Sequence, residues 1–398
     1  CLMWFSLSQP VRTITWQQLA KTEFDATFVQ DENGKEQLAI DISTPEQLAG
    51  VFSQKQKTYN LYDSSKNATT GKQSKKYLAK NLSQKSLNKY YISAYSSIND
   101  IFLKDDTTNP KILYRLTNDI NLNSTAANWD PYGVNLGSNE ILDGQGFAIK
   151  NLYITAARDH VGLIAGNWGT IKDLNLANVQ ISINDSFANV RVGPICALNQ
   201  GAEVTNCSVS INKISIKSTS GFYGEIGGIV GNNSGGTVQN CETSMANNFS
   251  GIQTGQQVGG IVGYSADLVM QNSNTTIKSK VLNCKNNLNI SFVNANVSLL
   301  NVGGIVGYAA NTDVCYNKNN GEICGGKSSD TIGTGGIVGT VRNSLIKECA
   351  NLGKITSGGK SNFKGYAYAG GIVGYLPADS NEKTEIRNCL NKGFVSSR

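Results

Sequence analysis

Short apolar strings along most of this chain are broken every few positions by glycine or asparagine, which predicts short strands joined by tight turns. From residue 161 one apolar hexapeptide recurs with little change. Its seven copies begin at Val161, Val192, Ile226, Val258, Val302, Thr334 and Ala369, and the last five share the core Gly-Gly-Ile-Val-Gly. Their first glycines lie at 162, 193, 227, 259, 303, 335 and 370, a spacing of 31 to 44 residues. The pattern therefore predicts a repeat architecture.

A unit of this length cannot bury its own apolar face, but stacked units can, because each backbone pairs with the next at about 4.8 Å. Glycine in the hexapeptide permits a sharp corner or a close backbone approach. We therefore expect a mainly β protein, with a right-handed parallel β-helix over residues 111–398 and the hexapeptide repeats from 161. The long interval from Gly259 to Gly303 predicts a loop insertion of about ten residues.

Cysteines keep phase with the repeat and predict a structural ladder, one side chain per coil, comprising Cys207, Cys241, Cys284, Cys315, Cys349 and Cys389. Such a column favours buried, reduced thiols. Disulfides are the alternative, and Cys315 with Cys324 is the best candidate for a bridge because both lie in one repeat. The chain has no Cys-x-x-Cys pair, so the sequence predicts no metal site.

The first part of the chain differs from the repeats. Residues 11–110 predict a small α/β capping region, with capping boxes starting helices at Thr15 and Thr44 and an apolar face of Leu48, Val51 and Phe52. Such a region would cover the open end of the solenoid. Residues 1–10 are apolar and suggest either the end of a signal or anchor segment or a lipid-modified Cys1. The chain ends inside the repeat pattern, which suggests a longer natural protein.

Composition narrows the function classes. The 398 residues carry 35 basic and 29 acidic side chains, a net charge of +6 that does not indicate nucleic-acid binding. The single histidine, His160, excludes an HExxH zinc hydrolase. No apolar run approaches the roughly 18 residues of a membrane span. Nothing in the sequence predicts a cofactor.

Four segments occur in a characteristic order: 42–49 (Ile-Ser-Thr-Pro-Glu-Gln-Leu-Ala), 116–122 (Leu-Thr-Asn-Asp-Ile-Asn-Leu), 143–146 (Asp-Gly-Gln-Gly) and the Gly-Gly-Ile-Val-Gly repeats. This order resembles the GLUG-repeat bacterial surface proteins, whose repeats also accompany streptococcal immunoglobulin A peptidases. The resemblance covers about 115–398, and 54–110 looks like an insertion. It implies an exported, extracellular cell-surface protein with a β-helix that acts as an adhesin or stalk, without the peptidase domain.

Two sets of residues are candidates for ligand binding. Residues 50–90 contain nine lysines and one acidic residue, and the lysines include Lys72, Lys75, Lys76 and Lys80. This segment either binds polyanions or is a solvated loop.

A column of tyrosines follows the hexapeptide, at Tyr264, Tyr308 and Tyr375, with Thr340 interrupting it. These tyrosines either stack on sugar rings or pack a turn against its neighbour, and Trp168 belongs to the equivalent turn. The expected partners are glycans, host surface or matrix proteins, and anionic cell-wall polymers.

Catalysis is the weaker interpretation, and no catalytic residue is assigned. Asp119, Asp130 and Asp143 lie on early coils, where a polysaccharide hydrolase or lyase would place carboxylates, but each also fits a turn. His160 is expected to be a loop residue. A third possibility is a filament or surface-array subunit, which would self-associate through the open β-helix end.

Overall fold

The computed structural model describes residues 14–34, 36–53, 58–62, 75–78, 90–92, 101–103, 112–122, 127–184, 189–217, 223–247, 249, 251–252, 255–270, 275–291, 299–326, 331–358, 365–378 and 383–397. The chain winds as a parallel β-helix in which each coil pairs in register with the next one. The predicted fold class, a mainly β solenoid with a small α/β cap, is confirmed.

Each coil passes through four faces, and equivalent strands of successive coils form one sheet per face. The first face consists of His160–Val161, Asn189–Val192, Tyr223–Gly227, Gln257–Gly259, Leu299–Gly303, Thr331–Gly335 and Tyr366–Gly370. The second face consists of Asn135–Leu136, Ile164–Asn167, Cys196–Gln200, Val230–Ser234, Val262–Ala266, Val306–Ala310, Val338–Arg342 and Val373–Tyr375. The hexapeptide forms the corner between these two faces.

The remaining two faces close the coil. The third face consists of Ile112–Leu116, Glu140–Asp143, Thr170–Lys172, Glu203–Thr205, Thr237–Gln239, Ser279–Leu282, Thr312–Cys315, Leu345–Lys347 and Glu385–Arg387. The fourth face consists of Ile120–Asn121, Ala148–Lys150, Tyr153–Ile154, Asn175–Ile183, Ser208–Ile216, Glu242–Met245, Lys285–Asn286, Lys318–Asn319, Ala350–Asn351 and Leu390–Asn391. Later coils add a short sheet of Ile290–Ser291, Ile323–Cys324, Ile355–Ser357 and Val395–Ser397.

The cap continues the third face instead of forming a separate sheet. Glu36–Ile42 pairs in parallel with Ile112–Leu116, and the sheet extends through Glu23–Gln30 and Thr58–Tyr62 to Lys75–Leu78. The lysine-rich segment thus supplies two strands, where a solvated loop was one expectation. A further antiparallel pair joins Tyr90–Ile92 to Ile101–Leu103.

The capping boxes behave differently at the two predicted helix starts. The helix Pro45–Val51 begins as expected, since the Thr44 hydroxyl accepts the backbone N–H of Gln47 at 3.1 Å, and its Leu48 is fully buried. At Thr15 the same side-chain bonds form with Gln18, but the helix prediction is wrong. Residues 14–15 instead form a short strand paired with Ala127–Asn128, followed by a turn.

The long interval in the repeat is partly a hairpin. Leu268–Val269 pairs antiparallel with Thr276–Ile277, between the second-face strand Val262–Ala266 and the third-face strand Ser279–Leu282. An insertion at this point does not disturb the register, because the strands before and after it still pair with the adjacent coils.

Asparagine ladders hold successive coils together inside the fold. Asn286, Asn319 and Asn351 are fully buried, and each donates its Nδ2 to the Oδ1 of the asparagine on the next coil at 2.7 to 2.8 Å. Each Nδ2 also reaches the backbone carbonyl two residues further on at 2.9 to 3.0 Å. Buried amides satisfied in this way stabilise one register, since a slipped coil would leave them unpaired.

The cysteine ladder is present, with one member misassigned. Cys207, Cys241, Cys284, Cys349 and Cys389 each follow a residue with positive φ, and their thiols donate to the carbonyl two residues earlier at 3.2 to 3.4 Å. On the intervening coil this position is Asn317, whose Oδ1 accepts the N–H of Cys284 at 2.8 Å. Cys315 lies on the preceding strand, opposite Leu282.

The buried thiols of the cysteine ladder are unreactive. Burial raises the pKa of Cys207 and Cys241 well above the usual thiol value, and it raises the pKa of Cys349 to about 12. Cys315 and Cys324, the candidate pair, are not joined by a disulfide. The thiolate is the reactive form of cysteine, and a raised pKa keeps the thiols of Cys207, Cys241 and Cys349 protonated. These ladder cysteines therefore act as small apolar groups in the core.

We expect Asn319→Ala to lower the free energy of unfolding by about 2 to 3 kcal/mol, because it strands the buried Nδ2 of Asn286 without its ladder acceptor. The matched control is Asn240→Gly, which removes an exposed ladder asparagine at a position with φ of 54° that glycine adopts readily. Its effect should stay within about 0.5 kcal/mol. Urea unfolding followed by circular dichroism measures both. Equal losses would contradict the structural role of the buried ladder.

We expect iodoacetamide at pH 8 to modify Cys324 in the native protein while Cys207, Cys241 and Cys349 stay unmodified until urea is added. Cys324 is partly exposed, whereas the other three are buried with raised pKa values. Peptide mass spectrometry reads the modification at each site. Rapid native modification of Cys241 would show that the ladder is accessible and contradict its packing role.

Candidate functional site

The corner between the first and second faces brings two ladders of side chains together. In-register pairing on the first face aligns His160, Arg191, Glu225, Gln257, Asn301, Gly333 and Tyr368. On the second face it aligns Asn135, Gly166, Leu198, Asn232, Tyr264, Tyr308, Thr340 and Tyr375. We call them the first and second ladders.

Glycine permits the close approach of the two faces. A Cβ on Gly263 would lie 2.5 Å from the backbone nitrogen of Ile226, a first-face residue of the previous coil. Contacts between the ladders follow, since Asn232 donates to Glu225 at 2.8 Å and Thr340 donates to Asn301. Side chains of both ladders therefore share one continuous strip along the solenoid axis.

A pocket of about 800 Å³ lies at the cap end of this strip. It is bounded by the cap, by the turn at 130–134 and by the first coils of both ladders. Its lining includes Gln17, Phe52, Tyr132, Arg158, His160 and Trp168. We call it the cap pocket. Val134, Ala165, Gly166 and Leu198 also line it, so the pocket combines apolar, polar and aromatic groups.

One wall of the cap pocket is the side chain of Tyr132, which is 77 % exposed. Arg158 lies over its ring, with the guanidinium carbon 5.1 Å from the ring centroid. Asp130 holds Arg158 in a bidentate pair, at 2.9 Å to Nε and 2.7 Å to Nη2. Burial raises the pKa of Asp130, but the hydrogen bonds from Arg158 and Tyr132 more than offset this, so the pKa is lower than usual. The carboxylate thus orients the aromatic wall.

Trp168 also lines the pocket, and its indole lies over Gly166. A Cβ on Gly166 would lie 2.6 Å from two atoms of the indole ring, so only glycine leaves room for it. The indole Nε1 donates to Gln200 on the next coil at 3.2 Å. With 40 % of its surface exposed, Trp168 presents a fixed ring to the pocket.

His160 is bound at both ring nitrogens. Its Nε2 lies 3.0 Å from Nη1 of Arg191 and its Nδ1 lies 3.2 Å from Oδ2 of Asp159. Because a guanidinium only donates, Nε2 accepts, and Nδ1 carries the proton that goes to Asp159. Arg191 continues to the buried Glu225 at 2.9 Å. The imidazole is therefore a structural link between the pocket and the ladders.

Further along the strip the tyrosines cluster. Tyr264 and Tyr308 stack with ring centroids 5.4 Å apart and planes within 7°, while Tyr368 stacks on Tyr375 at 4.8 Å. The register confirms that Tyr264, Tyr308 and Tyr375 form one column interrupted by Thr340. Burial raises the pKa of Tyr264, and its neighbours Tyr308 and Glu225 raise it further, so its hydroxyl remains a hydrogen-bond donor.

The other candidate residues lie apart from this strip. Asp119 is paired with Lys150 at 2.6 Å, and Asp143 is paired with Lys172 at 3.2 Å, each with a lysine of the next coil. Of the lysines, Lys75 and Lys76 belong to the strand Lys75–Leu78. Lys72 and Lys80 lie outside the described residues, as does Cys1. Binding by this segment stays a prediction.

The sequence singles out His160 and Trp168 separately, and Asp130 which holds the lining residue Arg158, but it does not predict the pocket. Its walls come from positions as distant as Gln17 and Leu198, and only the winding of the chain brings them together. The one available signal was the aromatic residue beside a turn motif, at Tyr132 and at Trp168.

Comparison with protein-family models, curated proteins and solved structures finds no match to this chain. Within the part of the chain that the structure describes, no group of three or more His, Cys, Asp or Glu side chains is arranged to hold a metal ion. The same residues contain no helix with the length and apolar character needed to cross a membrane.

We expect Gly166→Ala to displace the Trp168 indole toward solvent and to shift its fluorescence emission to longer wavelength, because the new methyl group occupies the space of the ring. The double variant Gly166→Ala/Trp168→Phe is the control, since the chain has other tryptophans. The emission of this double variant should match that of Trp168→Phe alone, because the displaced indole is absent from both. A shift of equal size in that background would contradict the assigned ring contact.

Proposed function

We propose that this chain is an extracellular carbohydrate-binding module of a bacterial surface protein, and that the cap pocket is its binding site. The observation that carries this proposal is that two exposed aromatic side chains, Tyr132 and Trp168, line one pocket together with polar side chains. The GLUG-type resemblance of the repeats supports the surface location and the adhesive role.

The chemistry of the pocket suits a sugar ring. A pyranose has an apolar face of C–H groups and a rim of hydroxyls, so it stacks on an aromatic ring while hydrogen-bonding at its edge. Tyr132 and Trp168 offer the rings. Gln17 lines the pocket, and its buried Nε2 has no hydrogen-bond partner among the described residues, so we assign it as the candidate donor to a sugar hydroxyl.

The charges favour binding over hydrolysis. A glycoside hydrolase needs a carboxylic acid with a raised pKa as its proton donor. Burial raises the pKa of Asp130 and of Asp159, but hydrogen bonds from Arg158 to the former and from His160 to the latter leave both pKa values below the usual range. Both carboxyls are therefore ionised at neutral pH and serve to position Arg158 and His160.

The charged side chains that line the pocket already have partners, Arg158 in Asp130 and Asp159 in His160. A pocket that is neutralised from within offers little net attraction to a polyanion. We therefore propose neutral glycans as the ligand class of the cap pocket, with anionic polymers left to the lysine-rich segment.

We expect the purified chain to bind neutral oligosaccharides on a glycan array, and expect Trp168→Ala and Tyr132→Ala each to weaken binding about tenfold or more through loss of ring stacking. Isothermal titration calorimetry with the best array ligand gives the dissociation constants.

Tyr316→Asn is the matched control. Tyr316 is 49 % exposed and lies at a corner position with positive φ, where other coils carry asparagine. This variant should bind as the original chain does. Absence of binding to every glycan on the array, or equal binding by Trp168→Ala, would overturn the proposed site.

A further inference from the structure

We infer that the binding site continues from the cap pocket along the two ladders as far as the stacked tyrosines, and that its ligand is a linear polysaccharide laid parallel to the solenoid axis. This inference rests on the proposed function and specifies the shape of its ligand. We call the part of the strip around Gln257, Asn301, Asn232, Tyr264 and Tyr308 the tyrosine seam.

The tyrosine seam contains a cluster of buried amide atoms with unused hydrogen-bonding capacity. Oδ1 of Asn232, Oε1 of Gln257 and Nδ2 of Asn301 have no hydrogen-bond partner among the described residues. All three side chains are at least nine-tenths buried, on three successive coils. The buried amide of Asn286 in the asparagine ladder, by contrast, is satisfied at both its nitrogen and its oxygen. An unsatisfied buried amide is costly, so a cluster of three points to an external polar partner.

The character of these atoms specifies the partner. Two are acceptors and one is a donor, so the matching group both donates and accepts, as a hydroxyl does. Tyr264 and Tyr308 lie beside them, and the Tyr223 hydroxyl, which accepts from Nε2 of Gln257 at 2.8 Å, adds a phenol to the same place. Aromatic rings next to open amide groups repeat, along the axis, the combination found in the cap pocket.

The spacing of the coils links the two places. Trp168 follows the second-ladder position Gly166, and Tyr308 lies four coils further along the same ladder. At about 4.8 Å per coil, the separation along the axis is about 19 Å. Between them the ladders carry Leu198 and Arg191, and both side chains are partly exposed. An extended chain held in the cap pocket therefore reaches the seam by following the axis.

The test is an array that carries several neutral backbones, β-1,4-glucan, β-1,3-glucan and β-1,4-N-acetylglucosamine chains, each graded from disaccharide to octasaccharide. For every backbone that binds, we expect chains longer than about 19 Å to bind about tenfold more tightly than short ones, because the seam is engaged by a ligand already held in the pocket. The double variant Tyr264→Ala/Tyr308→Ala should lose this gain while still binding short chains.

Two further variants distinguish a loss of ligand contacts from a loss of folding. Tyr264→Phe/Tyr308→Phe keeps both rings and should retain the length dependence, and Tyr368→Ala lies beyond the seam and should leave the dependence up to about 19 Å unchanged. Thermal unfolding checks that each variant is folded. Equal affinity for short and long chains, or a length dependence that survives Tyr264→Ala/Tyr308→Ala, overturns this inference and leaves the cap pocket intact. Failure of all chains to bind overturns the proposed function itself.

Discussion

The structure depends on one constraint, the in-register stacking of each coil on the next at about 4.8 Å. Once the register is set, a residue type repeated in the sequence becomes a column in space, and every column must tolerate its own copies as neighbours. Isoleucine and valine meet this requirement by packing, and asparagine meets it by donating to the next asparagine, as Asn286 does to Asn319. Like charges do not meet it, which fits the low charged fraction of 16 %.

Glycine has a second role beyond the corner itself. Where Gly263 meets the backbone of Ile226, the first and second faces come within contact distance, and the two ladders that flank the corner become one strip. At the equivalent second-face position, Gly166, the absence of a Cβ makes room for the Trp168 indole. The residue that allows the coil to close is therefore also the residue that shapes the candidate site.

The fold was largely predictable because periodicity reports ladders directly. The hexapeptide located the corner, and Thr44 with Pro45 located the helix. The two wrong predictions, Cys315 in the ladder and a helix at Thr15, have a common cause. Each infers a structural position from the type of residue alone. Cys315 was assigned to the cysteine ladder by its identity, whereas the ladder is defined by the positive-φ residue before it, and on that coil the position belongs to Asn317. Likewise the Thr15 capping box forms its bonds, but Ile14 and Thr15 pair as a strand with Ala127–Asn128 and the residues after them form only a turn.

The candidate site was less predictable because it forms where the repeat pattern is broken. A regular solenoid surface presents the same groups on each coil, and a pocket needs a place where the coils differ. Such a place arises at the junction with the cap, where Gln17 accepts the backbone N–H of Asp130 and ties the cap to the turn that carries Tyr132. Asp130 in turn holds Arg158 against the Tyr132 ring. The repeats supply a rigid, periodic support, and the non-repeating cap supplies the asymmetry that makes one end of it a site.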